Sequence, residues 1–157
     1  MLRDLADVIL VGAGTVRAEG YGGIRFPPDR AARRLRWGFG AEPPPIVITT
    51  EHGARTVPDG VRVIVAGTDR IELAVAIDAL AASGLRRIHC EGGPALLAAL
   101  AAGGLLDEYC LTIAPLMLGS GAAPVLPMEL SDPLAWHLLT ATVSGSHLFT
   151  RYRKTAR

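Results

Sequence analysis

The stretch HCEGGPALLAAL, residues 89–100, decides how the chain folds. The run before it, LRRIHC, is strand-like, and the run after it places Leu96, Leu97 and Leu100 on one helical face. An acid, two glycines and a proline separate them. Glycine is the costliest residue to order, so a pair at an element boundary serves the backbone. Proline suits the first turn of a helix, where its missing N–H costs nothing. The stretch therefore reads as a strand, a tight Gly-Gly turn and a helix starting at Pro94. A helix N-terminus approached through glycines suits a phosphate. A connection that binds nothing would have the same local pattern.

A second junction of this kind is LVGAGTVRAEGYG, residues 10–22. It begins like a dinucleotide fingerprint, but Arg17 holds the position of the third glycine. An acidic residue ending a second strand about 20 residues on is also missing, which argues against a Rossmann domain. Gly12, Gly14, the Thr15 hydroxyl and the N–H groups of a helix start still offer what a pyrophosphate needs. Alternatively, Thr15 only caps the turn.

Around these junctions the pattern is strand and helix in alternation. Residues 2–6 read as a helix end, 7–12 (DVILVG) as a strand apolar on both faces, and 15–20 as a helical turn. Residues 21–45, bracketed by FPPD and EPPP, read as a long irregular loop. PIVITT (45–50) and VRVIVAG (61–67) are β-branched strands. Residues 69–84 form the clearest helix, with Leu73, Ile77 and Leu80 in line and Gly84 as its stop. LRRIHC and the 94–103 helix follow, then the strand DEYCLTIAP and a glycine-rich loop. LAWHLLTATV and SHLFTRYRK, joined through SGS, form an antiparallel hairpin. The class is α/β, a mostly parallel sheet with an antiparallel edge. In such sheets ligands bind at the carboxyl ends of strands, where both glycine turns lie. If their strands are neighbours, one extended ligand such as a dinucleotide touches both.

At 157 residues and 50% hydrophobic, the chain is expected to be a single domain with a real core. Sixteen basic and fifteen acidic residues give a formal charge of +1, which makes no case for nucleic acid or an anionic membrane. The densest basic cluster, RAARRLR at 30–36, reads as a solvated face or a partner contact. Cys90 and Cys110 read as buried, reduced thiols rather than a disulfide. The four histidines are scattered, without metal-ligand spacing, so no metal is expected. No run is long enough to span a bilayer, and the N-terminus does not resemble a signal peptide, so a cytoplasmic protein is expected. The chain also opens on a helix end and enters a buried strand with nothing upstream to pair or cover it.

Taken together, ADVILVGAGTVRAEGYG, IHCEGGPALLAALAAGGLLDEYCLTIAPLMLGSG and the terminal SHLFTRYR resemble the reductase domain of riboflavin biosynthesis. This family, the RibD C-terminal type, has a dihydrofolate-reductase-like three-layer fold, and the resemblance runs over nearly the whole chain. It implies NADPH as cofactor and hydride transfer to a ribosylamino-pyrimidine phosphate, opening the ribose to a ribityl chain. Gly12, with Gly14 beside it, and Thr15 would then lie on the pyrophosphate side, with Glu19 also lining the NADPH site. Gly92, Gly93, Pro94, Ala95 and Leu96 would wrap the cofactor phosphates. Glu91 would face the pyrimidine near the nicotinamide, or else only accept hydrogen bonds at the helix start. Thr49 and Thr50 would take the 2′-phosphate, with Arg55 or Arg70 supplying a cation.

Two departures from the family pattern stand out. Where many members have Asp-Pro and a downstream Arg for the substrate phosphate, this chain has residues 19–22 (EGYG), and Arg25 is the near candidate. A pterin or another reducible heterocycle is therefore an alternative substrate. The family also begins with a strand and substrate loop upstream of Met1, so a non-catalytic dinucleotide-binding domain is the second reading. A chain start placed too late is a third. No catalytic residue is singled out. Because the family pairs its sheets, a homodimer through the terminal hairpin and the 108–118 strand is expected.

Overall fold

The computed structural model describes residues 2–19, 23–57, 61–121, 124–127 and 132–155, with Glu19 described in its backbone only. A 3-10 helix, Leu2–Leu5, leads into β1 (Val8–Gly12) and α1 (Ala13–Glu19). After α2 (Pro28–Arg36) come β2 (Pro45–Thr49), α3 (Glu51–Ala54), β3 (Arg62–Val65) and α4 (Leu73–Ala82). Then follow β4 (Ile88–Cys90), α5 (Pro94–Ala102), β5 (Glu108–Ile113), β6 (Trp136–Ser144) and β7 (His147–Lys154).

The first four strands form one parallel sheet in the order β3-β2-β1-β4. Alternation explains its core, because successive side chains of a strand leave on opposite faces. Ile9 and Val11 pack with Val16 of α1, Ile24 and Val47 on one face. Val8 and Leu10 point the other way, where Leu80 of α4 and Leu96 and Leu100 of α5 cover the sheet. Three layers result, and the strand expected to be apolar on both faces is buried on both. It does not lack neighbours either. β1 is paired on one edge by β2 and on the other by β4.

The antiparallel part is a three-stranded sheet of its own, β5-β7-β6, in which the expected hairpin supplies two strands. Residues directly opposite one another share a face. Tyr109, Tyr152 and Leu138 therefore lie on one side with Ile113, Leu148 and Val143, the register slip after Leu138 keeping β6 in phase. Leu138, Ile113 and Val143 are exposed. Cys110 is on the opposite, polar side and is exposed, which corrects the expectation of a buried thiol; both cysteines are free.

The larger correction concerns residues 21–45. The segment expected to be irregular holds α2, which starts with Pro28 in its first turn. Its basic cluster is not simply a solvated face. Arg34 is fully buried, and its guanidinium donates to the carbonyls of Arg3 and Asp4 (both 2.8 Å), Ala6 (2.9 Å) and Gly40 (2.8 Å). Arg30 and Arg33 both bind the buried Asp4 carboxylate, Arg33 at 2.6 Å. The helix thus anchors the 3-10 turn that precedes β1. Among the described residues no helix is long and apolar enough to cross a membrane.

Candidate active site

The winding of the parallel sheet locates the site. From β1 the chain moves outward through β2 to β3, then returns to place β4 on the other side of β1. Strand order therefore reverses between β1 and β4, and ligands of open α/β sheets bind outside the carboxyl ends at such a point. The residues that follow those two ends are the two glycine turns read from the sequence.

The turns are in contact. The Gly12 amide donates to the Gly92 carbonyl at 2.7 Å, continuing the pairing of β1 with β4 into the loops. A β-carbon on Gly12 would stand 3.3 Å from the Gly93 nitrogen and 3.4 Å from the Gly92 oxygen. One on Gly93 would stand 3.0 Å from Thr15 Oγ1. Gly92 has φ +85°, the left-handed region that a side chain disfavours. The Gly92–Gly93 peptide is cis.

Beyond the turn, α5 starts at Pro94 as the sequence predicts, with Gly93 as its cap. Its first turn has neither a capping side chain nor an acidic residue. The amides of Ala95 and Leu96 thus belong to a helix start whose dipole favours an anion. Pro94 and Ala95 are exposed, whereas Leu96 turns into the core. Gly14 lies on α1 with open space around it. These residues fit the phosphate end of a dinucleotide: bare backbone on two facing turns, a hydroxyl between them and a helix N-terminus.

Glu91 sits between β4 and the turn, its amide bonded to the Leu10 carbonyl at 3.0 Å. Its carboxylate is gripped by Arg3, Nε to Oε1 at 2.5 Å and the second guanidinium nitrogen to Oε2 at 2.7 Å. His89 shares the face, its Nε2 lying 3.6 Å from Glu91 Oε1. Burial pushes the His89 imidazole below its ordinary value; Glu91 opposes this, and Arg3 adds to the lowering. Burial likewise pushes the Cys90 thiol up, though it accepts from the Gly92 amide at 3.4 Å. Neither Arg3 nor His89 is prominent in the sequence. Arg3 is 88 residues from its partner, and only the i, i+2 spacing of His89 and Glu91 on a strand could have linked those two.

Thr49 and Thr50 end β2, the strand next to β1. Thr50 accepts from the Gly53 amide at 3.1 Å as the cap of α3, and Thr49 is buried against Gly53. Arg55, after α3, and Arg70 are both exposed. Arg25 is not brought to the glycine turns by any described contact; it is exposed and pairs with Glu42 at 3.2 Å. The Glu19 side chain and Gly20 to Gly22 lie outside the described residues. Among those that are described, no group of three His, Cys, Asp or Glu is placed to hold a metal.

The fold defines a dihydrofolate-reductase-like α/β protein in which two glycine turns meet at the strand-order switch point. The chain belongs to the RibD C-terminal domain family, whose model matches residues 1–149. It is 27% identical to the 2,5-diamino-6-ribosylamino-4(3H)-pyrimidinone 5′-phosphate reductase of Methanothermobacter thermautotrophicus, over 96% of this chain and 81% of that protein. The enzyme of the same name from Archaeoglobus fulgidus is 28% identical, over 80% of this chain and 69% of that one. Among solved structures, a pyrimidine reductase-like protein of Corynebacterium diphtheriae superposes with a TM-score of 0.85 at 26% identity, covering 99% of this chain and 79% of that one.

Proposed function

We propose that this chain is an NADPH-dependent reductase of a ribosylamino-pyrimidine phosphate in riboflavin biosynthesis, acting by direct hydride transfer. The observation that carries the proposal is the contact of two glycine turns across the β1–β4 switch point, Gly12 N–H to Gly92 carbonyl at 2.7 Å. The names of its relatives supply the substrate class.

In this reading Gly12, Gly14, Thr15 and Gly92 to Leu96 bind the cofactor phosphates with backbone N–H groups and one hydroxyl. The nicotinamide supplies the hydride, and the protein supplies orientation and charge. Glu91 meets the pyrimidine. Thr49 and Thr50 stand toward the 2′-phosphate, where the buried Thr49 and the helix-capping Thr50 leave selectivity to backbone N–H groups and to Arg55 or Arg70. Glu19 completes the cofactor side, and Arg25 takes the substrate phosphate by leaving Glu42, an exposed pair worth at most about 1 kcal/mol. The active form is a homodimer through the exposed apolar face of the three-stranded sheet. Free thiols at both cysteines suit the cytoplasm.

The test is a fluorescence titration of the purified chain with NADPH and NADH, followed by turnover of the pyrimidine. NADPH-selective binding with substrate-dependent NADPH oxidation is expected. Binding without turnover of a pyrimidine, pterin or other heterocycle would leave a dinucleotide-binding domain. No binding of either nucleotide would overturn the cleft assignment.

A further inference from the structure

Glu91 is the one acidic side chain assigned to the substrate side, and the group that grips it comes from the opposite end of the sequence. Arg3 meets it as a fork, one nitrogen on each carboxylate oxygen at 2.5 and 2.7 Å. A bidentate pair fixes the plane of a carboxylate as well as its position. Arg3 can impose that plane because its own backbone is pinned. Its carbonyl and that of Asp4 each accept from the buried Arg34 at 2.8 Å, and the Asp4 carboxylate is held by Arg30 and Arg33. A chain of contacts thus runs from α2 through the 3-10 turn to the end of β4.

We infer that Arg3 is a positioning residue, fixing the Glu91 carboxylate in one plane at the switch point so that the N–H donors of a planar heterocycle meet an oriented acceptor. The inference rests on the reductase reading and adds to it the residue that sets the geometry of the substrate contact. Orientation at a reacting site is costly to lose: a misplacement of about 1 Å can reduce rate on the order of a hundredfold. Lysine cannot replace Arg3 in this role, because an ammonium is a point charge without a fork.

The experiment uses the whole chain with Arg3→Lys, Arg3→Gln and Glu91→Gln. It measures KM and kcat for the ribosylamino-pyrimidine phosphate, NADPH affinity, and the NMR titration of the His89 imidazole in the free protein. Both Arg3 variants are expected to raise KM by about tenfold or more, with NADPH affinity kept. His89 separates geometry from charge. Arg3→Gln removes a positive charge that lowers its titration, so the midpoint rises, and Arg3→Lys leaves it near wild type. Glu91→Gln removes the opposing charge, so the midpoint falls.

A KM restored by Arg3→Lys would overturn the inference, since charge alone would then suffice. So would an unchanged KM in both variants of an active enzyme, while leaving the reductase reading intact. If Arg3→Gln does not fold, Arg3→Lys carries the test alone. A wild-type chain that neither binds NADPH nor turns over would overturn the reductase reading. In that case an unmoved His89 titration in Arg3→Gln would separately overturn the placement of Arg3 against Glu91.

Discussion

The Thr15 hydroxyl oxygen stands 3.0 Å from the point where a β-carbon on Gly93 would lie, so the first glycine turn closes tightly on the second and any side chain there must displace Thr15. Gly93→Asp should therefore abolish dinucleotide binding, by steric exclusion and by placing a negative charge against the phosphates. Gly93→Ala should weaken it less, because Thr15 can rotate. Nucleotide fluorescence measures both, and an unchanged affinity in Gly93→Asp would remove this turn from the cofactor site.

Gly92 tests the backbone instead of the space. At φ +85° an alanine would be strained by about 1–2 kcal/mol. Gly92→Ala is expected to lower the urea midpoint accordingly and to weaken NADPH binding, because relief of the strain would turn the carbonyl that accepts from Gly12 out of line. Full stability in this variant would show that the turn adopts another conformation in solution.

Arg34 tests the hub under the 3-10 turn. Arg34→Met keeps much of the volume but leaves the carbonyls of Arg3, Asp4, Ala6 and Gly40 without this donor. Each buried unsatisfied group costs about 1–3 kcal/mol, so a loss of about 3 kcal/mol or more is expected in denaturant unfolding. A near-neutral result would mean that water reaches those carbonyls.

Acid should act in two stages. Burial holds the His89 imidazole below its ordinary 6.5, so the unfolded chain binds this proton first as pH falls. Its contribution to stability is complete above that value and is lost as pH drops through the folded midpoint. His89→Gln should flatten this part of the curve. Lower down, hydrogen bonds from Arg30 and Arg33 hold Asp4 below its usual range, and at Glu108 those from Arg151 and Arg153 outweigh the opposing effect of burial. Their contributions are present above the unfolded values and disappear as pH falls below about 4. Thermal unfolding across pH would reveal both stages, and a single acid transition in wild type would contradict the His89 stage.

Leu138 lies exposed on the apolar face proposed to pair two chains. Leu138→Glu should shift the sedimentation coefficient from dimer to monomer while leaving the fold intact by circular dichroism. A wild-type chain already monomeric at micromolar concentration would overturn the dimer proposal.

The strands and glycine turns were legible because their signals are local: β-branched runs, a proline opening a helix, glycines at strand ends. The adjacency of the two turns depends on strand order, which no local signal carries; the pairing of β1 with β4 supplies it. Helix α2 was not legible, since prolines flank it and its one fully buried side chain is Arg34, which hydrophobic periodicity counts as surface. The Arg3–Glu91 fork was hidden for another reason. Long-range charge pairing leaves no trace in spacing, and Arg3 stands among residues that read only as a helix end. Arg25 is a different case: closeness in sequence to the first turn suggests it for the substrate phosphate, while in this structure its guanidinium pairs with Glu42.

The bond between Gly12 and Gly92 joins main chain to main chain. No substitution can delete its donor except proline at Gly12, and none can delete its acceptor. Mutation reaches the seam between the two halves of the winding only by adding atoms to it. Much of the chain can therefore drift chemically while the cleft keeps its place, provided these few positions stay bare.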